Sequence, residues 1–306
     1  MRSNTSTRTR DERVPCRSVA KARLRVDSPA SPCFAGRGGY KKSTDMKKPL
    51  ILVTNDDGVT APGIKSLVEI ALELGEVIVV APDSPQSGMG HAITLNLPLR
   101  LHRTRAFPEL EAYECSGTPV DCVKLAKNVV CKGREIALCV SGINHGSNAS
   151  VNIIYSGTMS AAMEASLEGI PSIGFSLLDY RYEADFSAAR EYVKHIMQHV
   201  LENGMEAGNL LNVNIPRLSA AEIKGIRICR QAEARWNEEY AEAEDPRGQK
   251  YYWLKGVFEN NDPGDDTDVA ALATGYISVV PSMHDLTNYK ALHQPGLRKL
   301  AINELP

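Results

Sequence analysis

Oxygen-bearing side chains stand at the ends of three predicted β-strands in this chain of 306 residues. The adjacent carboxylates Asp56 and Asp57 end the first strand in TNDDG, Ser87 follows the second strand in PDSPQSG, and Asn144 follows a later strand in SGINHGSN. Ligands bind beyond the carboxyl ends of parallel strands, so these side chains meet if the strands are neighbours. Such oxygens suit Mg²⁺ or Mn²⁺ better than zinc. The pattern therefore indicates a divalent-metal site, although Asp-Gly by itself is also a common turn signal.

A second group of residues has the composition of a phosphate site. In IYSGTMSAAMEASLEG, Ser156 or Thr158 can cap the helix that follows, and Gly157 lets the backbone approach a ligand closely. The free N–H groups and the positive dipole end of such a helix attract anions. Asn148, a little upstream, adds hydrogen-bonding capacity. Plain N-capping is the simpler explanation for an isolated Ser-Gly-Thr, and the same choice between cap and ligand contact applies to GTPVDCV around Thr118.

Three other patterns resemble functional sites only superficially. His195 and His199 stand four residues apart on one predicted helix, but no third ligand accompanies them, so an exposed helix face is the better hypothesis. The glycine-rich AGRGGY, residues 35–40, has no strand before it and no helix after it. The seven cysteines form no CxxC pair or zinc spacing, which favours buried small side chains in a reducing compartment.

Buried β-like runs alternate with amphipathic segments from Pro49 onward. LILVTN predicts a strand, PGIKSLVEIALELG predicts a helix that begins near Pro62 and ends at Gly75, and EVIVVAP predicts a second strand. After the hairpin-like HAITLNLPLRLHR, the alternation continues with helix TPVDCVKLAKNVV, strand IALCVSGIN, helix YSGTMSAAMEASLEG, strand PSIGFSLL, helix DFSAAREYVKHIMQHVLENG and strand LLNVNIP. Repeated strand-helix-strand units predict a doubly wound α/β fold with a mainly parallel sheet.

Residues 231–266 break this alternation. They are strongly charged, yet they contain the aromatic β-like run YYWLKGVF after the turn DPRG. An aromatic strand outside the main sheet packs either on a partner subunit or as a hairpin on its own domain, and the sequence favours neither alternative.

The amino-terminal segment differs in composition from the rest of the chain. Residues 1–45 carry eight Arg, three Lys and four acidic residues without a sustained period of 2 or 3.6, which predicts a disordered leader before a domain over residues 46–306. The remainder is acidic, so specific binding of nucleic-acid polymers is not expected. No stretch approaches the roughly 18 apolar residues of a membrane span. We therefore expect a cytoplasmic protein, or an organellar one if residues 1–45 act as a transit peptide.

Five ordered motifs together resemble the SurE family of stationary-phase survival proteins, which act as nucleotidases. They are LILVTNDDGVTAPGI, VVAPDSPQSG, GTPVDCV, SGINHGSN and IYSGTMSAAMEA, and LLNVNIP, DPRGQKYYWLKG and TDVAALATGYISVVP also fit. The resemblance implies a Rossmann-like, doubly wound three-layer sandwich with a C-terminal β-hairpin or oligomerisation arm at about residues 231–306. It implies a metal-dependent phosphohydrolase that releases phosphate from nucleoside monophosphates, with short polyphosphate as a further substrate in some members. It also implies a homodimer or homotetramer.

The resemblance assigns roles to individual residues motif by motif. One divalent ion per subunit, Mg²⁺ or Mn²⁺, would be held by Asp56, Asp57, Ser87 and Asn144. The pocket for the substrate phosphate would be lined by Asn148, Ser156, Gly157 and Thr158. His145 departs from the small residue that the family motif has after Asn144, and it lies close enough to the metal ligands to alter substrate contacts.

The sequence leaves three alternatives open, two catalytic mechanisms and one function without catalysis. In the first, a divalent ion lowers the pKa of a water, and Asp56 or Asp57 orients or deprotonates that water. In the second, one Asp attacks phosphorus directly and forms an aspartyl-phosphate. Haloacid-dehalogenase-like phosphatases use this route, but their two carboxylates stand one residue apart, whereas here they are adjacent. In the third alternative, the protein is a regulator that binds nucleotides and does not hydrolyse them.

Overall fold

A nine-stranded, mainly parallel β-sheet organises residues 48–298, the part of the chain that the computed structural model describes. The predicted leader, residues 1–45, lies outside these residues. The strands of the sheet are β1 (Leu50–Thr54), β2 (Glu76–Pro82), β3 (Leu101–Arg103), β4 (Glu111–Cys115), β5 (Leu138–His145), β6 (Ser172–Leu177), β7 (Asn209–Ile215), β8 (Ile226–Ile228) and β11 (Ile277–Met283). Two further strands, β9 (Ala234–Glu244) and β10 (Lys250–Asn260), form a separate antiparallel hairpin.

The order of the strands confirms the predicted fold class. Across the sheet it is β3-β4-β2-β1-β5-β6-β7-β11-β8. The six strands from β4 to β7 in this order run parallel, whereas β3 and β11 pair antiparallel with β4 and β7. Because β2, β1 and β5 are neighbours, the three polar segments singled out in the sequence emerge at one edge of the sheet.

Helices cover both faces of the sheet. They are α1 (Pro62–Leu74), α2 (Pro119–Leu125), α3 (Asn152–Tyr155), α4 (Gly157–Leu167), α5 (Arg190–Asn203), α6 (Asp268–Ala273) and α7 (Pro295–Arg298). Successive residues of β1 serve opposite faces: Ile51 packs in one core cluster with residues of α1 and α5, and Leu52 packs in another with residues of α2 and α4. The two clusters make the three-layer arrangement. No helix within residues 48–298 combines the length and the apolar character that a bilayer crossing requires.

Several element boundaries differ from the sequence-based expectations. The long predicted helix starts late, because residues 187–189 form a single 3-10 turn before α5 begins at Arg190. The helix predicted to run through Val130 ends at Leu125 and continues as one wider helical turn. The short, charged strand β4 was not predicted, because its sequence carries no strand signal. It forms because its backbone pairs with β2 on one side and β3 on the other.

The GTPVDCV motif proves to be a helix cap. The backbone N–H of Asp121 donates to Thr118 Oγ1 at 3.2 Å, and the backbone N–H of Thr118 donates to Asp121 Oδ2 at 2.9 Å. The hydroxyl of Thr94 also donates to Asp121 Oδ2, at 2.6 Å. This reciprocal pattern satisfies the first free amides of α2, so the cap alternative accounts for the motif.

The hairpin of β9 and β10 stands apart from the main sheet, as the broken alternation predicts. The run YYWLKGVF lies within β10, whereas β9 was not predicted because its sequence is mostly charged. The base of the hairpin is attached to its own domain, since Trp236 Nε1 donates to Asn152 Oδ1 at 2.7 Å. Farther along, Tyr252 and Trp253 are exposed over 57% and 65% of their surface.

Candidate metal and phosphate site

The turn after β1 is held by residues other than the two carboxylates. Asn55 Nδ2 donates to the carbonyl oxygen of Gly58 at 2.9 Å, and Gly58 has a φ of +97°, a conformation that favours glycine. Asp56 and Asp57 instead contact residues far along the chain. This arrangement supports a role for the pair beyond that of a turn.

Asp56 is buried against the amino terminus of α4. Only 3% of its surface is exposed, and its Oδ1 accepts a hydrogen bond from the hydroxyl of Thr158. A Cβ on Gly157 would lie 2.7 Å from Asp56 Cβ and 2.9 Å from Oδ2, so a side chain at that position would have no room. Burial and the neighbouring Asp57 raise the pKa of Asp56 to about 6, against the opposing effect of the Thr158 hydrogen bond.

The cap of α4 resolves the choice between Ser156 and Thr158. Ser156 Oγ accepts from the backbone N–H of Met159 at 3.0 Å and is the N-cap. Thr158 is therefore free to contact Asp56, and the first turn of α4 brings its positive dipole end to the carboxylate. Two residues of the predicted phosphate site, Gly157 and Thr158, thus lie against one predicted metal ligand, Asp56.

Asp57 is half-buried beside the end of β5. Its Oδ2 accepts from the backbone N–H of His145 at 3.3 Å. Burial raises the pKa of Asp57, and the charge and amide of His145 oppose that increase. The contact fixes the carboxylate between two neighbouring strands.

Ser87 and Asn144 each lie next in sequence to a residue that contacts Asp56 or Asp57. The backbone N–H of Gln86 donates to the carbonyl oxygen of Asp56 at 2.7 Å, which places the exposed Ser87 beside the turn. Asn144 precedes His145 and is half-buried, with its Nδ2 bonded to the carbonyl oxygen of Gly146 at 3.0 Å. All four predicted metal ligands therefore belong to one corner of the sheet.

His145 is fixed by the segment after β6. Its Nδ1 lies 2.8 Å from the carbonyl oxygen of Arg181, and because a carbonyl only accepts, Nδ1 carries the proton. The ring meets Phe186 edge-on at 5.2 Å between centroids and lies parallel to Tyr182 at 6.4 Å. His145 is thus held beside Asp57 by contacts with the segment after β6.

Asn148 belongs to a buried polar network behind the site. Its backbone N–H donates to Asn214 Oδ1, its Nδ2 donates to Ser176 Oγ, and its carbonyl oxygen accepts from Asn212 Nδ2, each at 2.8 Å. These partners on β6 and β7 were not predicted, although the alternation of Asn in LLNVNIP is a visible signal of them. A phosphate contact for Asn148 stays a prediction.

The side chains present fit a hard divalent cation. Within residues 48–298, no group of three or more His, Cys, Asp or Glu side chains could hold a metal ion. The predicted donor set has two carboxylates with a hydroxyl and an amide oxygen, which are ligands that a hard divalent cation accepts. In the same part of the chain, buried oxygens of Thr54, Asn55 and Ser141 lack a hydrogen-bond partner. Thr54 and Asn55 lie at the carboxyl end of β1, and Ser141 is the residue of β5 that pairs with Thr54.

The histidine pair of α5 forms no such site. His195 and His199 are both exposed, and His199 Nδ1 lies 3.3 Å from Asn203 Nδ2 one turn away. The prediction of an exposed helix face is confirmed.

Comparison with known proteins places these features in one family. Residues 51–238 match the family model described as Survival protein SurE. A protein of Cytophaga hutchinsonii named 5'-nucleotidase SurE is 61% identical over 81% of this chain and 96% of that relative, and its namesake in Christiangramia forsetii is 60% identical over 79% and 94%. The crystal structure of SurE protein from Aquifex aeolicus has a TM-score of 0.72 and 39% identity, and the match covers 82% of this chain and 100% of that chain.

Proposed function

This chain belongs to the SurE family, and from that premise we propose that it is a 5′-nucleotidase, a phosphoric monoester hydrolase acting on nucleoside monophosphates. The observation that carries the proposal is the contact between the buried Asp56 and the first turn of α4 at Gly157 and Thr158. It joins a negative group that can hold a cation to a helix terminus that can hold an anion. The names of the relatives supply the substrate class.

We assign one divalent ion, Mg²⁺ or Mn²⁺, to Asp56, Asp57, Ser87 and Asn144. The oxygen donors of these four side chains, and the adjacency of Asp56 and Asp57 directly after β1, support this assignment. When bound, such an ion neutralises charge on phosphate oxygens and lowers the pKa of a water.

The chain's own residues have separate tasks in the proposed reaction. The amides of the first turn of α4 hold phosphate oxygens and stabilise the charge that develops there. Thr158 orients Asp56 through its hydroxyl. Asp57, the more exposed of the two carboxylates, orients the attacking water and accepts its proton.

A phosphate-release assay tests this proposal against its two rivals. We expect 5′-AMP to release inorganic phosphate in Mg²⁺ or Mn²⁺ and to stop doing so after chelation, and 3′-AMP measured in parallel gives the positional preference. Saturable nucleotide binding without release over hours would identify a regulator instead. Trapping of a phosphorylated Asp in the quenched reaction would replace water attack by the covalent route.

We also propose that the protein is a homodimer or homotetramer held partly by the hairpin arm. The exposed aromatic side chains of β10, Tyr252 and Trp253 among them, form a surface of the kind that interfaces bury. Sedimentation at micromolar concentration should give at least twice the chain mass of 33.4 kDa. A single species at the monomer mass would refute the arm's role.

The cysteines support a cytoplasmic location, which we propose on that basis. Five cysteines fall within residues 48–298, and all five are free and buried: Cys115, Cys122, Cys131, Cys139 and Cys229. Unpaired thiols are typical of a reducing compartment.

A further inference from the structure

A cleft of about 550 Å³ opens between the loop after β2, the end of α3 and the base of the hairpin. Its walls include Gly88, Tyr155, Trp236, Leu254 and Lys255. The volume lies within the range of roughly 300–1,000 Å³ that small-molecule sites occupy. None of these residues was assigned a function from the sequence motifs.

The cleft adjoins the candidate metal and phosphate site through two segments. Gly88 follows Ser87 directly, and Tyr155 directly precedes Ser156, the N-cap of α4. Because consecutive Cα atoms are about 3.8 Å apart, Tyr155 lies within about 8 Å of Gly157, which touches Asp56. The backbone N–H of Gly90 donates to the carbonyl oxygen of Tyr155 at 3.2 Å and ties the two segments together. A ligand with its phosphate at α4 can therefore extend into the cleft.

Two aromatic side chains in the cleft are placed to receive a flat ring. Tyr155 is 55% exposed and Trp236 is 38% exposed. Trp236 is held by its hydrogen bond to Asn152 and by an edge-on contact with Phe258 at 5.5 Å between centroids. A Cβ on Gly256 would lie 3.2 Å from Trp236 Cε3, so glycine on the facing strand leaves room for the indole. The indole is thus positioned before any ligand arrives.

We propose that this cleft binds the base of the nucleoside monophosphate, with Tyr155 and Trp236 as its stacking surfaces. Aromatic side chains stack on any nucleobase because every base has a π-face. Leu254 adds apolar contact, and Glu238 and Lys255 at the walls offer an acceptor and a donor to the polar edge of the base. The assignment rests on the proposed nucleotidase function, and it places base recognition at the junction of the hairpin and the α/β domain.

A second cleft of about 320 Å³ also includes Trp236 in its walls and supplies a matched comparison. Tyr180 and Phe258 line it, and its lining contains no residue from the loops that follow β1 and β2. Tyr180 is 72% exposed, so its removal leaves no large cavity in the core. If the base lay in this second cleft, Tyr180 and not Tyr155 would control recognition.

The test compares two phosphate esters that differ only in the base. The ratio of kcat/KM for 5′-AMP to kcat/KM for ribose 5-phosphate is measured on the full chain in Mg²⁺, for wild type, Tyr155→Ala, Tyr155→Phe and Tyr180→Ala. We expect Tyr155→Ala to lower the ratio about 10-fold, from the contribution of one stacked base. Tyr155→Phe, which keeps the ring, and Tyr180→Ala should keep the wild-type ratio.

A binding measurement tests the same cleft without turnover or metal. The chain has two tryptophans, so Trp253→Phe leaves Trp236 as the single tryptophan, whose emission is excited selectively over that of tyrosine. Adenosine should quench its fluorescence saturably, and the additional change Tyr155→Ala should weaken that binding.

The outcomes separate this proposal from the nucleotidase proposal. If wild type hydrolyses neither ester, the nucleotidase proposal fails, and adenosine quenching alone decides whether the cleft takes a base. If both esters are hydrolysed equally well and adenosine causes no saturable quenching, the proposed hydrolase activity is supported and the proposed base-binding cleft is wrong. A fall in the ratio for Tyr180→Ala with none for Tyr155→Ala would likewise overturn the assignment.

Discussion

Asp56→Asn and Asp57→Asn should each lower phosphate release from 5′-AMP by at least about 100-fold, because each removes ligand charge while keeping the side-chain shape. The loss should coincide with a loss of metal affinity, measured by titrating Mg²⁺ and Mn²⁺ during the assay. Asn at position 56 retains a carbonyl oxygen for the Thr158 hydroxyl, so the contact with α4 survives. A fall in activity would therefore result from the loss of the negative charge and not from a structural collapse of the site.

Stability should respond in the opposite direction. Burial and Asp57 raise the pKa of Asp56, which means that ionisation of this carboxyl is less favourable in the folded protein than in the unfolded chain. Without metal, the melting temperature of Asp56→Asn should therefore equal or exceed that of wild type. Added Mg²⁺ or Mn²⁺ should raise the melting temperature of wild type more than that of the variant.

Asp185→Asn provides the control for a carboxylate that serves only a turn. Asp185 is exposed, and its Oδ1 accepts from the backbone N–H of Ser187 at 2.9 Å. Asn tolerates such geometry about as well as Asp, so activity should be unchanged. Full activity in Asp56→Asn or Asp57→Asn, or wild-type activity that survives exhaustive chelation, would refute the metal site.

Asp268→Asn should lower the free energy of unfolding by about 2 kcal/mol, the order expected when a buried hydrogen-bonded group loses its partner. Asp268 is fully buried at the start of α6 and accepts from the backbone N–H of Ser150 at 2.7 Å and of Ala232 at 2.9 Å. Its two oxygens thereby join the loop after β5 to the base of the hairpin. An amide nitrogen in place of either oxygen would turn a donor toward a backbone donor.

Urea unfolding of Asp268→Asn beside Asp265→Asn measures this effect. Asp265 is an exposed neighbour in the same segment, so its substitution should change stability by less than about 0.5 kcal/mol. Equal midpoints for the two variants would show that the buried carboxylate does not hold the loop and hairpin together.

The sequence located the central strands β1, β2, β5, β6 and β7 and the two carboxylates because their signals are local. β1 is read from five consecutive apolar or β-branched residues, and Asp56 follows within two positions. The start of α1 at Pro62 is equally local, since proline acts on the backbone at its own position. The alternation of strand and helix then fixed the fold class, and ordered motifs indicated the family.

Local signals failed where pairing or packing decided the outcome. The charged β9 becomes a strand because β10 pairs with it along its whole length. The sequence allowed either Ser156 or Thr158 to cap α4. In the structure Ser156 is the cap, and the hydroxyl of Thr158 donates to Asp56, a partner that only the fold brings there. Asn148 lies in its buried network because β6 and β7 are neighbours.

By itself, the sequence determined which residue types stand at each strand end and which helix can receive an anion. Only the tertiary structure decided which of them meet. Asp56 contacts Thr158 across 102 positions, Asp57 contacts His145 across 88, and Asp268 contacts Ser150 across 118. The physical reason is that periodicity and capping act over a few residues, whereas such contacts depend on the order of the strands. That order is set by the packing of whole elements against one another.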